Sequence, residues 1–339
     1  MSATLDVPAA RRAAILAWAE EIAGARTIAL STHVNSDGDG CGSETALARL
    51  LAQRGQQVWI VNPTPWPAMF DFLLGGDVVD RSSEGGAAIT AADRLVVLDI
   101  SDVGRLGTLA PAVRALPQRP VVVDHHLPGD EPPGPVMVSD TTACATGELV
   151  YDIAVTLGLE ITSAIATSIY TAMLTDTGGF RFSNTSPRCH AIAGELLRAG
   201  VNPEEMYRRI YASVPLGRLN LIAESLNTLG ADPSIGLSWI EIPLGALERH
   251  GVKSEDLDGI AEYPRSLAGT RLALLFRDLG HDRVKISFRS VGSVDVNALA
   301  RQFGGGGHAR ASGALVEGPI AEVRQRVLDA ARVVLTATT

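Results

Sequence analysis

No stretch of this 339-residue chain approaches the ~20 consecutive apolar residues that a membrane-spanning helix needs. Near the start, Arg11-Arg12 precede Ala13-Ala14-Ile15-Leu16, but Trp18, Glu20 and Glu21 follow at once. That run is too short and too soon charged for a secretory signal, and no membrane partner is expected. Cysteine is scarce. Cys41, Cys144 and Cys189 are odd in number, far apart and in no CxxC spacing. They argue against a disulfide framework and for reduced, packed thiols in the cytoplasm. Internal repeats and low-complexity tracts are missing too, as is any basic excess. The formal net charge is −9: residues 1–190 hold 12 Lys/Arg against 21 Asp/Glu, residues 236–317 hold 10 of each, and the two remaining stretches contribute −1 and +1. Proteins that track long polyanions carry a basic face. The acidic first half therefore favours short or small anionic substrates over long duplexes.

Val121-Val122-Val123 runs without alternation into Asp124-His125-His126, and Leu127-Pro128-Gly129 closes the run. An unbroken β-branched run of this kind reads as a parallel strand buried on both faces. Its polar triplet would emerge at the carboxyl end, where open α/β sheets keep their ligands. Further strands are predicted at 27–32, 57–62 and 94–98, with a short one at Val136-Met137-Val138. Helices are predicted at 14–23, 42–53, 106–116, 142–157, 162–174 and 187–198. Pro63, Pro65 and Pro67 interrupt the pattern before an aromatic patch, Trp66, Phe70 and Phe72, of which Trp66 and Phe70 are expected to pack rather than to stack on bases. This alternation implies an α/β fold with a doubly wound, mainly parallel sheet over residues 1–190.

Residues 191–230 read as a helical connector, and residues 231–339 change rhythm. Strands at 237–242, 271–277, 284–289 and 313–316, with helices at 296–303 and 320–335, make a smaller α+β domain. The length suits two domains with separate cores, and the active site is expected in the cleft between them.

Three predicted strands end in groups that ligate metals: His33 with Asp37 and Asp39, then Asp99, then Asp124 with His125 and His126. A fourth element, Leu174-Thr175-Asp176-Thr177-Gly178-Gly179, places an acid ahead of a glycine turn. An extended turn is expected to aim Asp37 and Asp39 to one side, since residues i and i+2 share a face, with Gly38 and Gly40 permitting sharp angles. Acids converging on one crevice repel unless a cation sits among them. Carboxylate and imidazole without thiolate suit Mn²⁺ or Mg²⁺ better than structural zinc. Cys41, although close in sequence, is not expected to ligate.

In this order, His33-x-x-x-Asp37-x-Asp39, Asp99, Asp124-His125-His126 and Asp176 resemble the four motifs of the DHH phosphoesterase superfamily. Gly304-Gly305-Gly306-Gly307-His308 with Ser312-Gly313 resembles that family's C-terminal DHH-associated domain, so the resemblance spans nearly the whole chain. Its length, short connector and lack of extra domains look most similar to the nanoRNase/pAp phosphatase branch. The resemblance implies two Mn²⁺, with Mg²⁺ or Co²⁺ as substitutes. His33 and Asp37 would hold one ion, Asp39, His125 and Asp176 the other, and Asp99 would bridge them. It also implies catalytic roles for His126, facing the phosphate, and for Asp124, orienting the histidines. Asn35-Ser36 stand where many relatives place a proline before the first acid, a departure that leaves every ligand in place.

Along Lys285 to Ser290 the side chains alternate, so Ser287 and Arg289 share a face opposite Phe288. Arg289 can hold a phosphate with its planar fork. Gly305, Gly306 and Gly307 would bring backbone N–H groups near an anion or base, with His308, Ser312, Arg310 and Arg181 as further substrate contacts. This glycine run follows a helix instead of opening one after a strand, so it does not read as a dinucleotide-binding loop. The resemblance implies hydrolysis of very short RNA, from either end, and removal of the 3′-phosphate of pAp, by two-metal in-line attack of a bridging hydroxide. Cleavage of cyclic or linear dinucleotides (c-di-AMP, pApA, pGpG) fits the same residues. A non-catalytic, metal-dependent nucleotide sensor is the alternative of another class; a missing ligand would favour it, and none is missing. Oligomeric state is open, a homodimer included.

Overall fold

The computed structural model describes residues 5–135, 137–257 and 259–337, and only the backbone of Glu255, Asp256 and His308. The chain forms two compact units, Met1–Ala212 and Ser213–Thr339. In the first, the order is α1 (Ala9–Glu21), β1 (Thr27–Ser31), α2 (Gly38–Gln53), β2 (Gln57–Ile60), α3 (Asp71–Leu74), β3 (Val79–Asp80), α4 (Gly86–Thr90) and β4 (Arg94–Leu98). Then follow α5 (Ala110–Arg114), β5 (Val121–Asp124), β6 (Met137–Ser139), α6 (Thr146–Leu157), α7 (Ser163–Asp176), α8 (Pro187–Arg198) and α9 (Pro203–Tyr211). The six strands are all parallel, in the order β3-β2-β1-β4-β5-β6.

The unbroken apolar runs have a two-sided destination. Ile28, Leu30, Val96, Leu98, Val121 and Val123 enter one core with Trp18, Leu47, Leu149 and Ile169. Ala29, Leu95 and Val97 enter another with Ile89, Val103, Leu106 and Val113. Strand order reverses between β1 and β4, and the crevice beyond their carboxyl ends is where such a sheet opens for ligands.

Glycines let α2 and α6 approach α7 closely. A Cβ on Gly42 would lie 2.4 Å from the Ser168 carbonyl oxygen and 2.9 Å from the Ala172 nitrogen, and one on Gly147 would lie 2.5 Å from the Ala172 Cβ. A buried ion cluster fastens α1 to α6. Arg11 Nη1 donates to Glu148 Oε1 at 2.8 Å and to Asp152 Oδ2 at 2.6 Å, and Nη2 to Asp140 Oδ2 at 2.8 Å.

Several boundaries differ from expectation. α2 starts at Gly38, four residues before 42, because Asp37 caps it: its side chain accepts from the backbone N–H of Asp39 and Gly40. The helix expected at 142–157 begins at Thr146. The one expected at 106–116 is a tight 3₁₀ stretch, Val103–Leu109, kinked at Gly107 (φ 49°), followed by the short α5. β3, two residues long, carries too little pattern to be read from sequence. β6 matches Met137-Val138; Val136 lies outside the described residues.

The second unit comprises α10 (Leu216–Leu226), β7 (Gly230–Asp232), β8 (Leu237–Ile242), α11 (Ala246–His250), α12 (Glu262–Arg265), β9 (Leu272–Asp278) and β10 (Arg283–Ser290). It closes with α13 (Val296–Arg301), β11 (Gly306–His308), β12 (Ala311–Glu317) and α14 (Ile320–Ala337). Its sheet order is β11-β12-β10-β9-β8-β7, antiparallel except for the β8–β9 pair. Ile286 and Phe288 face Leu299, Val323 and Val327 on one side; Ile240, Ile242 and Leu275 face Leu221 and Ile222 on the other. The expected connector, 191–230, is divided between the units: Met206 and Ile210 of α9 join the first unit's core, Leu221 and Ile222 of α10 the second's. The glycine run is not a free loop. Gly306 pairs with Gly313, Gly307 with Ser312 and His308 with Ala311, so β11 forms a hairpin with β12.

Substituting Gly42→Ala forces a methyl into backbone atoms of α7 and should destabilise the protein by about 1–3 kcal/mol in urea unfolding. Gly194→Ala, in α8 with nothing within 4 Å, should be neutral or stabilising by up to ~1 kcal/mol. Equal midpoints for the two variants would show that the α2–α7 approach is not constrained as described.

Candidate metal centre

His33 follows β1 and is buried. Its Nδ1 lies 2.9 Å from the Val34 carbonyl, which leaves Nε2 facing Asp37 Oδ2 at 3.7 Å and Asp99 Oδ2 at 3.4 Å. Asp37 and Asp39 do not share a side. Asp37 is the cap of α2 and its side chain is 59% exposed. Asp39, in the first helical turn, is rotated about 200° from it and is buried. The expected extended turn is a helix start, and its period of 3.6 sends the two acids to different clusters.

Asp99 leaves the end of β4 with φ +61°, a left-handed conformation that costs a non-glycine residue ~1–2 kcal/mol. Its backbone N–H is held by the Val123 carbonyl at 3.0 Å and its Oδ1 by the Thr146 hydroxyl at 3.0 Å. His125 follows β5. Its Nδ1 lies 3.3 Å from the Ala143 carbonyl. Its Nε2 is buried without a hydrogen-bond partner, 3.6 Å from Asp39 Oδ2 and 3.7 Å from both Asp99 Oδ1 and Asp176 Oδ2. Asp176 is the last residue of α7 and its Oδ2 accepts from Asn184 Nδ2 at 3.2 Å.

His126 Nδ1 donates to the fully buried Asp124 Oδ1 at 2.8 Å. Asp124 was expected to orient both histidines, but it holds only His126; His125 Nδ1 faces the Ala143 carbonyl instead, and the two rings lie edge-on at 62°.

Among the described residues, three groups of donors thus lie within metal-binding reach: His33, Asp37 and Asp99; Asp39, His125 and Asp176; Asp99, His125 and His126. An unpartnered imidazole nitrogen amid three carboxylate oxygens, each too far for a direct bond, fits a divalent cation. Cys41, Cys144 and Cys189 are buried and belong to none of the groups.

The charges explain the local titration. Burial opposes a charged His33, but hydrogen bonds to Asp37 and Asp99 override it and push the imidazole up to about 10. Burial, followed by the charges of Asp99, Asp176 and Asp37, drives Asp39 upward. Burial, then Asp99 and Asp37, against the pull of His125 and His126, leaves Asp176 at about 6. His126 is raised against its burial by Asp124 and Asp99.

Thr146, Gly147, Ser43 and Asn184 were not anticipated. Asp39 accepts from Thr146 N at 2.7 Å, Gly147 N at 2.9 Å and Ser43 Oγ at 3.1 Å. Two of these donors are backbone groups, which no residue type announces. Of the expected substrate contacts, Arg181 Nε donates to the Gly178 carbonyl at 2.5 Å. Arg289 Nη1 donates to the Phe288 carbonyl at 3.1 Å, and its Nε lies 3.4 Å from Glu262 Oε1. Ser312 is buried in β12, and Arg310 is exposed in the β11–β12 turn. Gly305 donates its N–H to Ala300, and a Cβ there would meet the Gly313 carbonyl at 2.1 Å. At Gly305 the absence of a side chain therefore serves the hairpin. The side chain of His308 lies outside the described residues.

A doubly wound parallel sheet with clustered carboxylates and imidazoles at its switch point, and a separate α+β unit after it, define the class: a two-unit α/β protein whose donor groups could hold a divalent cation. Residues 27–175 match the DHH family, N-terminal domain, and residues 240–337 match the DHHA1 domain. The chain belongs to the DHH family. A "Bifunctional oligoribonuclease and PAP phosphatase NrnA" of Thermus thermophilus is 33% identical over 91% of this chain and 90% of its own length. Among solved structures, an exopolyphosphatase-related protein from Bacteroides fragilis aligns with TM-score 0.87 and 27% identity over 96% of both chains. Thermus thermophilus RecJ in complex with Mn²⁺ shares the fold at TM-score 0.54 and 17% identity, over 97% of this chain and 55% of RecJ.

Without metal, His33 stabilises the fold fully below its unfolded value of 6.5 and loses that contribution as pH rises toward about 10. Asp176 adds a loss of the same sign between 3.8 and about 6, because its folded form holds the proton longer. Unfolding free energy of the metal-free protein should therefore fall by on the order of 1–3 kcal/mol from pH 5 to 9, and saturating Mn²⁺ should remove most of the slope. A flat profile without metal would contradict this charge arrangement.

Proposed function

We propose that this chain is a divalent-metal-dependent phosphoesterase that hydrolyses short oligoribonucleotides and removes the 3′-phosphate of 3′-phosphoadenosine 5′-phosphate. The observation carrying this reading is Asp99, whose two oxygens face different imidazoles: Oδ2 lies 3.4 Å from His33 and Oδ1 3.7 Å from His125. A carboxylate shared by two cations through its two oxygens fits that geometry. In this reading His33, Asp37 and Asp99 hold one ion, and Asp39, His125, Asp176 and Asp99 the other. Oxygen and imidazole donors without thiolate suit Mn²⁺, with Mg²⁺ or Co²⁺ as substitutes. Such a pair would lower the pKa of a bound water and neutralise phosphate oxygens.

The protein's own groups do the rest. Asp124 keeps the Nδ1 proton of His126 and, with Asp99, favours the imidazolium. The other ring nitrogen is then available to donate to a phosphate or leaving-group oxygen. Asp124 works through His126 and is a positioning residue. Arg181 in the first unit, and Arg289, Gly305, Gly306, Gly307, His308, Arg310 and Ser312 in the second, form the proposed substrate contacts, the arginines by their planar match to phosphate. Both activities appear in the name of the 33%-identical relative, which supports this substrate pair. The acidic first half and the lack of a basic excess support short substrates over long ones.

The deciding experiment compares kcat/KM with Mn²⁺ for pAp, RNA from dinucleotides to long single strands, pGpG and cyclic di-AMP. Short RNA and pAp should be the best substrates. Preference for a cyclic dinucleotide would move the assignment, and no turnover of any would leave a nucleotide sensor. Chelation should abolish activity reversibly, with Mn²⁺ restoring more than Zn²⁺. Asp99→Ala should lower kcat/KM at least about a hundredfold while the far-ultraviolet circular dichroism stays unchanged; near-normal turnover would rule out the shared-ligand role.

A further inference from the structure

Asp39 caps a helix to which it does not belong. α6 has Ala145 at its N-cap position and no capping side chain there. The carboxylate of Asp39, from α2, takes the first two N–H groups instead: Thr146 N at 2.7 Å on Oδ2 and Gly147 N at 2.9 Å on Oδ1. The Thr146 hydroxyl, fully buried, donates to Asp99 Oδ1 at 3.0 Å. These two oxygens, Asp39 Oδ2 and Asp99 Oδ1, are the ones that face His125 Nε2, at 3.6 and 3.7 Å. One residue therefore grips both.

The surrounding segment serves the other donors. The Ala143 carbonyl accepts from His125 Nδ1 at 3.3 Å. The Cys144 carbonyl accepts at 2.8 Å from Asn184 Nδ2, which also reaches Asp176 Oδ2 at 3.2 Å. From behind, Cys144 N donates to Glu148 Oε2 at 3.0 Å, and Glu148 Oε1 accepts from the buried Arg11 at 2.8 Å. Two carboxylates held this close repel one another, and the N–H groups and partial positive charge of a helix start offset that repulsion. Oxygens aligned before the cation arrives lose less freedom when it binds.

We propose that Thr146 is the positioning residue of the metal centre, its N–H and hydroxyl setting the Asp39 and Asp99 oxygens at the separation a cation at His125 requires. This rests on the metal-centre reading above and adds a residue to it. The test is equilibrium Mn²⁺ binding, followed by electron paramagnetic resonance of the free ion, for wild type, Thr146→Val, Thr146→Ser and Thr146→Ala. Valine keeps the shape and the N–H but loses the hydroxyl; serine keeps the hydroxyl but loses the methyl. Thr146→Val should bind Mn²⁺ about 10–100-fold more weakly, with Thr146→Ser close to wild type. A packing role gives the opposite order, because valine fills the site and serine does not. Where the valine variant fails to fold, serine against alanine makes the same comparison, since only serine retains the donor. Wild-type affinity in Thr146→Val, or equal weakness in the serine and alanine variants, overturns the proposal. Wild-type protein that binds no Mn²⁺ overturns the metal centre itself, and the role of Thr146 with it.

Discussion

Asp39, Asp99 and Asp176 all present an oxygen within 3.7 Å of one imidazole nitrogen, His125 Nε2. Their mutual repulsion, in surroundings that water reaches poorly, is the constraint around which the first unit is arranged. A buried charge without a partner neutralises or finds compensation. Here the compensation is distributed. Asp39 receives the first N–H groups of α6, and His33 gains a proton between Asp37 and Asp99. Asp176 and Asp39 respond by holding their own protons longer. Protons and a divalent cation bound there would compete for the same oxygens, which would link metal affinity to pH through the site's own geometry.

The scaffold that tolerates this charge is built by close packing. Gly42 brings the backbones of α2 and α7 together, and Gly147 does the same for α6 against α7, so the helices carrying Asp39, Thr146 and Asp176 have little freedom to separate. The Arg11 cluster ties α1 to the same α6. A buried pair of this kind adds little net stability over an apolar substitute, but removing one partner strands the other. Its location, one hydrogen bond behind Cys144, makes it part of the support for the site as well as of the core.

Much of this was legible in the residues. Val121 to Val123, Leu95 to Leu98 and Ile28 to Leu30 announced strands buried on both faces, because apolar character on consecutive residues is what a two-sided core demands. The polar groups after them fell at carboxyl ends for the same reason. The expectation that Asp37 and Asp39 share a face failed because the period changes at Asp37 from two to 3.6; an aspartate ahead of the helical pattern was itself the available cap signal. β11 left no signal, since glycine has little strand propensity and its pairing is imposed by β12. Asn184 belongs to none of the motifs, and only its contact with Asp176 marks it.

The sequence by itself determined the doubly wound parallel first unit, the α+β character of the second and the identities of the clustered acids and imidazoles. Each follows from local periodicity and residue chemistry. The grouping of His33 with Asp37, and of Asp39 with His125 and Asp176, was already implied by the family resemblance. Only the tertiary structure decided how the acids are held: Asp124 serves His126 alone, and Thr146 joins Asp39 to Asp99. These outcomes depend on helix phase, on contacts between residues far apart in the chain and on backbone N–H groups that every residue carries alike, none of which local pattern encodes.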